Sequence, residues 1–97
     1  MTSDELKATL TAPTPPAGLR PAIVALWHDA RGDWDAAHRV AQDIAGDDGS
    51  WVHAYLHRKE GDLSNAAYWY RRAGRAVESG TLLEEWNRIA AELLERA

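Results

Sequence analysis

Apolar residues recur every three to four positions along most of the chain, which is the period of an α-helix with one buried face. Over residues 21–31 this pattern predicts a helix that Gly32 ends, because glycine accepts left-handed geometry. A second apolar stripe covers residues 34–44, and Asp33 is placed to cap it. The two segments therefore predict one helical hairpin.

The same organisation returns after residues 46–49, whose sequence Gly-Asp-Asp-Gly predicts a turn. Ser50 is a suitable N-cap for a third helix over residues 50–60. Gly61 then repeats the corner and precedes a fourth apolar stripe, with Gly80 predicted to end that helix. A second hairpin follows from this pattern.

The sequence contains two capping boxes, in each of which a Thr is followed three residues later by Glu. Thr81 and Glu84 predict the start of a fifth, strongly amphipathic helix, and Thr2 and Glu5 predict a short helix to about Leu10. We therefore expect five helices over residues 20–96 and a short one before them.

Four prolines between positions 13 and 21 predict an extended linker, since proline fixes φ and lacks an N–H. The chain accordingly divides into an N-terminal segment, residues 1–19, and a helical-repeat domain, residues 20–97. A chain of 97 residues buries only about 60–65% of its extended surface, so one hydrophobic core is expected. The predicted class is all-α.

Aligning Gly32 with Gly61 reveals an internal repeat of 29 residues. The repeated positions are small, corner and capping residues: Ala25, His28, Gly32, Asp33 and Ala37 match Ala54, His57, Gly61, Asp62 and Ala66. Segments 32–37 and 61–66 resemble the corner of tetratricopeptide repeats, in which Gly opens the turn and Ala lets the helices approach. This resemblance spans about residues 20–78. It implies two degenerate tetratricopeptide-like hairpins and a C-terminal capping helix.

The chain departs from that family in three respects. Its period is 29 residues rather than 34, the final proline is missing, and His28 and His57 replace an expected large aromatic. Tetratricopeptide hairpins serve many unrelated partners, so the resemblance implies protein or peptide binding without naming a ligand. Residues 51–62 and 68–75 also resemble blocks in short uncharacterised bacterial proteins, which implies no activity.

Composition narrows the chemistry further. The absence of cysteine excludes disulfides, thiolate catalysis and Cys-based metal sites. The acidic start and the short apolar runs predict a cytoplasmic protein with no membrane partner. A net charge of −4 argues against duplex DNA, although residues 51–75 carry five cations against two carboxylates and suit a small anion or acidic peptide. The sequence contains no phosphate loop, nucleophile elbow or paired-carboxylate signature, so a standard nucleotide enzyme or hydrolase has little support.

Histidine is the strongest candidate for chemistry. His53 and His57 are spaced i, i+4 and share one helix face, which can present two imidazoles to a metal. His28, the repeat equivalent of His57, is expected to converge on them, and Asp29 or His38 could complete the shell of a divalent transition metal. The alternative is that each histidine is structural and bonds its own carbonyl or carboxylate.

Aromatic and cationic side chains interleave in the second hairpin, where they can stack on rings or grip anions. Some of them would face the concave groove in the repeat register, and others are not required by the apolar stripe. The expected peptide- or protein-binding residues are Trp51, Tyr55, Arg58, Tyr68, Trp69 and Arg72. The alternative is a solvated basic face beside core rings.

The sequence thus favours a small helical-repeat interaction module, with a His-rich metal-binding protein or metal-dependent enzyme as the alternative. Two repeats are fewer than the three or so that such stacks usually need, which predicts a homodimer. Most of the five tryptophans are expected to fill the core, leaving one or two to line a surface.

Overall fold

The computed structural model describes residues 1–96, which contain six α-helices and no strand. The helices are α1 (Ser3–Ala8), α2 (Pro21–Ala30), α3 (Trp34–Gln42), α4 (Asp47–Lys59), α5 (Leu63–Arg72) and α6 (Leu82–Glu95). The predicted all-α class and the five helices after residue 20 are confirmed. Ala97, the last residue of the predicted domain, lies outside the described residues.

The two predicted capping boxes are confirmed. The Thr2 hydroxyl accepts the N–H of Glu5 at 3.1 Å, and the Glu5 carboxylate accepts the N–H of Thr2 at 2.8 Å. Thr81 and Glu84 form the same reciprocal pair at 3.0 and 2.9 Å. Each box satisfies two N–H groups that a helix start would otherwise leave without acceptors.

Three helices end at a glycine with positive φ. At each corner the residue after the glycine donates its N–H to a carbonyl five residues earlier, which satisfies the end of the helix. The glycines are Gly32, Gly61 and Gly74, and the bonds run from Asp33 to His28, Asp62 to His57 and Arg75 to Tyr70 at 2.9–3.0 Å. The third corner ends α5 at Arg72, so the prediction that this helix continues to Gly80 was wrong.

The start of α4 also differs from the prediction. The helix begins at Asp47 rather than after Ser50, because Gly46 turns the chain at φ 94° and two aspartates occupy the first turn. Carboxylates are stabilised there by the helix dipole. Gly49 lies inside the helix, where a Cβ would come within 2.5 Å of the Ile44 carbonyl oxygen. This glycine therefore permits a close approach of two backbones rather than a turn.

Helices joined by a glycine corner pack on each other, α2 on α3 and α4 on α5, while α3 also packs on α4. The last helix, α6, lies against α4, α2 and α1. Between them is one core whose largest buried apolar side chains are Leu6, Ile23, Leu26, Trp27, Trp51, Leu56, Tyr70, Ile89 and Leu93. The radius of gyration, 12.3 Å, is close to the value of about 12.5 Å expected for a folded chain of this length.

Two buried carboxylates tie the helices together. Asp29 accepts hydrogen bonds from the Tyr55 hydroxyl and the Lys59 ammonium, both at 2.8 Å. Glu85 is held in the same way by the Tyr70 hydroxyl at 2.6 Å and the Arg58 guanidinium at 3.0 Å. In each case α4 supplies the cation, so a buried charge on α2 or α6 is neutralised by the central helix.

Residues 1–96 form no helix with the length and apolar character that crossing a membrane requires. The longest, α6, has 14 residues, against about 20 for a membrane span.

Candidate metal centre

Three of the four histidines meet between α3 and α4. His38 projects from α3, and His53 and His57 project from one face of α4. Each imidazole brings one ring nitrogen to within 4.8 Å of the other two. His53 and His57 are each only 7% exposed, and His38 is half-buried. The set is therefore a clustered, largely desolvated group of imidazoles, which we call the histidine cluster.

The closest pair in the cluster is His38 and His53, whose Nε2 atoms are 3.0 Å apart. Two neutral imidazoles can share this distance if one ring donates its proton to the other. The two nitrogens can also lie this close together if both lone pairs point toward one cation. The ring of His57 completes the group, with its centroid 4.7 Å from that of His53 and 5.4 Å from that of His38.

Glu60 fixes the protonation pattern of His57. Its carboxylate lies 2.5 Å from Nδ1 of that ring, so Nδ1 carries the proton and donates it. In this tautomer the lone pair is on Nε2, and the amide nitrogen of Asn65 lies 3.4 Å from that atom. A carboxylate behind the distal nitrogen of an imidazole is the usual means by which proteins orient a metal-binding histidine and raise its basicity.

Glu60 and Asp62 also form a separate group with His57. Both carboxylates are exposed, and Asp62 already caps α5 by accepting the N–H of Asn65 at 3.2 Å. Within this group Glu60 therefore orients His57, and Asp62 caps the start of α5. The group lies where α4 ends and α5 begins.

Two indole rings form the walls of the histidine cluster. Trp34 stacks on His38 at 4.9 Å between centroids, and Trp69 stacks on His53 at 4.0 Å. Trp34 is itself anchored by donating its indole N–H to the Leu56 carbonyl at 2.8 Å. The walls limit both water access and the rotation of two imidazoles.

The same burial keeps two of the rings neutral. Desolvation, and to a smaller extent the nearby His57 and His38, lower the pKa of His53 to about 4. The pKa of His38 is also lowered, mainly by burial and then by His57, against the opposing effect of Glu60 and Asp35. At pH 7 both rings therefore offer lone pairs rather than positive charges.

The spacing of the rings is close to what coordination requires. Three nitrogens at 2.0–2.1 Å from one tetrahedral ion lie about 3.3 Å apart. The 3.0 Å between His38 and His53 is within a few tenths of an ångström of this value. The ligand nitrogen of His57 lies within 4.8 Å of the other two, so it must approach by at most about 1.5 Å.

The expectation that His28 joins the cluster was wrong. Its half-buried ring lies on α2 with its edge against Trp27 at 5.2 Å, and α3 rather than α2 packs along the histidine face of α4. The repeat does equate His28 with His57 in the backbone, since both carbonyls accept the corner Asp N–H at 3.0 Å. Asp29 is likewise outside the cluster, engaged with Tyr55 and Lys59.

No protein-family model matches the chain, and neither a curated protein nor a solved structure shows significant similarity to it. The geometry must therefore carry any functional argument.

The predicted ligand surface divides into a buried and an exposed half. Trp51 and Tyr55 are 1% and 2% exposed, and Arg58 is occupied by Glu85 and the Gly80 carbonyl. The expectation that these three residues line an open groove was wrong, because α6 and the segment before it lie there. Trp51 is covered further by the guanidinium of Arg75, 3.3 Å from its ring centre.

The other half comprises the exposed Tyr68 and Arg72 and the half-buried Trp69, which we call the aromatic ridge. Tyr68 is 43% exposed and meets Trp69 edge to face at 5.2 Å. Arg72 donates to the Tyr68 hydroxyl at 3.1 Å and lies over both rings, at 5.8 and 5.2 Å. Because Trp69 also stacks on His53, the ridge borders the histidine cluster.

Sequence reasoning named His38 only as a completing ligand and missed Trp34, Glu60 and Asn65. One signal could have found them. Three consecutive helices each present an i, i+4 pair to the same point: Trp34 and His38, His53 and His57, and Asn65 and Trp69. Residues four apart share a helix face, so three such pairs in successive helices indicate one shared site.

Proposed function

We propose that this protein binds one divalent transition-metal ion, Zn²⁺, Ni²⁺ or Cu²⁺, through His38, His53 and His57. The observation that carries the proposal is the convergence of three imidazoles from two helices on one desolvated point. Three imidazoles with one open position form a donor set that these ions accept, and an open position can hold water or a partner's side chain.

Two further features support the proposal over a structural role. A structural histidine normally bonds its own acceptor, but His38 and His53 face each other with no carboxylate between them. The carboxylate that is present, Glu60, sits behind His57 rather than in the centre of the group. This is the arrangement in which a ligating ring is held from its far side.

Calorimetry on untagged protein at pH 7.5 tests the proposal, with Zn²⁺, Ni²⁺ and Cu²⁺ titrated in turn. We expect one ion per chain and at least about tenfold weaker binding by His38→Ala and His53→Ala. Glu60→Gln is expected to weaken binding about tenfold, the typical effect of removing an orienting carboxylate. Cu²⁺ and Ni²⁺ should also quench the fluorescence of Trp34 and Trp69, which stack on the ligands.

The matched control is His28→Ala, which removes the one histidine outside the cluster and should leave affinity unchanged. Circular dichroism establishes that each variant is folded. Weak binding that is equal in the wild type, His38→Ala and His28→Ala would show that the ions bind imidazoles indiscriminately and would remove the proposal.

A second candidate function is the binding of a peptide or protein partner at the aromatic ridge. It is favoured by the exposure of Tyr68, a residue type enriched at interfaces, beside the cation of Arg72. An array of acidic, neutral and basic peptides tests it. Binding of an acidic subset should fall about tenfold with Tyr68→Ala or Arg72→Ala and not with Val77→Ala, an exposed apolar control. Equal retention on all three peptide classes would exclude it.

We also propose that α2–α3 and α4–α5 are degenerate tetratricopeptide-like hairpins, capped by α6. Support comes from the equivalent corners at Gly32 and Gly61, with φ of 83° and 88° and identical backbone bonds. The small residues of the repeat, Ala37 and Ala66, are buried at 0% and 2% exposure, as close helix approach requires. A solved structure in which the two pairs superimpose, and pack at the same angle as each other, would test it.

A further inference from the structure

A cavity of about 420 Å³ lies between α1, α2, α4 and α6, apart from the histidine cluster. None of the three clustered histidines lines it. Its volume falls within the range of small-molecule sites in proteins, roughly 300–1,000 Å³. Any ligand of this cavity would therefore be independent of the proposed metal.

One part of the cavity is apolar. Leu10, Leu82, Leu83 and Trp86 contribute to its lining, from α6 and from the chain just after α1. Trp86 is firmly placed because its indole N–H donates to the Leu26 carbonyl at 3.0 Å. Leu83 is 64% exposed, which leaves its side chain available at the margin. This wall suits a hydrocarbon or aromatic body.

The polar part of the cavity contains a carboxylate that is already paired and a cation that no carboxylate in the described part of the chain pairs. Both carboxylate oxygens of Asp29 are occupied, one by the Tyr55 hydroxyl and the other by Lys59. Lys7 lies over the Trp86 ring at 5.7 Å, and no carboxylate of residues 1–96 comes within 4.0 Å of it. An ammonium presents three donors and no acceptor, so the group that lies beside Lys7 must accept hydrogen bonds.

The charges of the residues that line the cavity also favour an anionic ligand. Asp29 neutralises Lys59, which leaves the cavity with the single positive charge of Lys7. A monoanion would balance it, and a second negative charge would meet Asp29. Next to an apolar wall, an ion pair between an ammonium and a carboxylate is strengthened by exclusion of water.

We propose that this cavity binds a small amphipathic carboxylate, with its apolar body against Leu82, Leu83 and Trp86 and its carboxylate on Lys7. A straight-chain or aromatic acid has both features. The proposal adds a binding site to the molecule and does not depend on metal binding.

Calorimetry with three probes of one chain length tests the charge requirement. Decanoate should bind, decanol should bind about tenfold more weakly, and decyltrimethylammonium should not bind, all measured below their micelle concentrations. The factor of ten corresponds to one hydrogen bond to a charged group. Decanoate that binds no better than decanol, or does not bind at all, would overturn the proposal.

Variants locate the site. Lys7→Met should weaken decanoate about tenfold and leave decanol unchanged, and Lys7→Arg should retain decanoate because the charge is kept. Leu83→Asn should weaken both probes, whereas Leu63→Asn, a leucine 66% exposed in the first turn of α5, should weaken neither. Binding that survives Leu83→Asn unchanged, or that falls with His53→Ala in a folded protein, would place the ligand elsewhere and refute the assignment.

Discussion

His53 lies in a largely desolvated environment. It is stacked under Trp69, 3.0 Å from one imidazole and next to a second, with no carboxylate acceptor of its own among the contacts described. A ring in this position gains nothing from becoming charged and loses its hydration. Neutrality at pH 7 is therefore a consequence of packing, and it has a measurable effect on stability.

We predict that the protein loses stability as the pH falls from 6.5 toward 4. The folded pKa of His53, about 4, lies below its unfolded value of 6.5, so between these values the unfolded chain binds more protons. The contribution is complete above pH 6.5 and decreases by roughly 2 kcal/mol by pH 5. Urea unfolding at pH 7.5 and 5.0, with a chelator present, measures it.

The matched comparison for that measurement is His53→Gln, which removes the titrating group and keeps a polar side chain. Its unfolding free energy should change less between the two pH values than that of the wild type. A wild type and a variant with the same pH dependence would contradict the assignment of this effect to His53.

For individual residues, the sequence identified the histidines of α4 better than it identified which other histidine lies beside them. The i, i+4 spacing placed His53 and His57 on one face, because that depends only on helix geometry. The choice of His28 over His38 depended on which helix packs beside that face. Hydrophobic periodicity does not encode this, because both α2 and α3 have a polar side with a histidine.

Among the helices, the glycine corners are the features that local sequence specifies most strongly. Gly61 has φ of 88° and open space around the position of a Cβ, so only backbone strain opposes a side chain there. We predict that Gly61→Val lowers the free energy of unfolding by at least about 1 kcal/mol. Gly61→Asn should cost less, because Asn tolerates left-handed geometry. Thermal unfolding of the two variants measures the difference, and equal losses would contradict it.

The helix boundaries show where local signals compete. Both capping boxes were predicted because each uses two residues three apart. At the start of α4, Ser50 predicted an N-cap and residues 46–49 predicted a turn. The helix instead begins at Asp47, with two aspartates in its first turn. The end of α5 was misplaced for the opposite reason, since apolar residues continue past Gly74 although that glycine already closes the helix.

The contact between α5 and α6 leads to a further prediction. Burial and the bond to Glu85 raise the pKa of Tyr70, so its hydroxyl keeps the proton that it donates to this carboxylate. Tyr70→Phe should lower the free energy of unfolding by roughly 1.5–3 kcal/mol, because it leaves one oxygen of a buried Glu85 without a donor. Tyr68→Phe is the control, since that hydroxyl is at the surface. Similar losses in both variants would contradict this account.

For the molecule as a whole, self-association stays a prediction. It was inferred from the small number of repeats. Leu63, Val77 and Leu83 remain largely exposed and provide apolar surface for a second copy. Light scattering over a range of protein concentrations should show a dimer that Leu63→Asn with Val77→Asn weakens. A monomer at high concentration would rule it out and leave α6 as the neighbour that completes the core.

The position of α6 after its packing partners in the chain has a consequence for biosynthesis. Arg58 and Tyr70 are synthesised before their partner Glu85. Leu26, whose carbonyl accepts the indole N–H of Trp86, is synthesised long before that tryptophan. A ribosome adding about 5–20 residues per second therefore exposes these groups, and the apolar faces of α2 and α4, for seconds before their partners emerge. The nascent chain is most accessible to chaperones and proteases during this interval. The interval ends when α6 packs on the earlier helices.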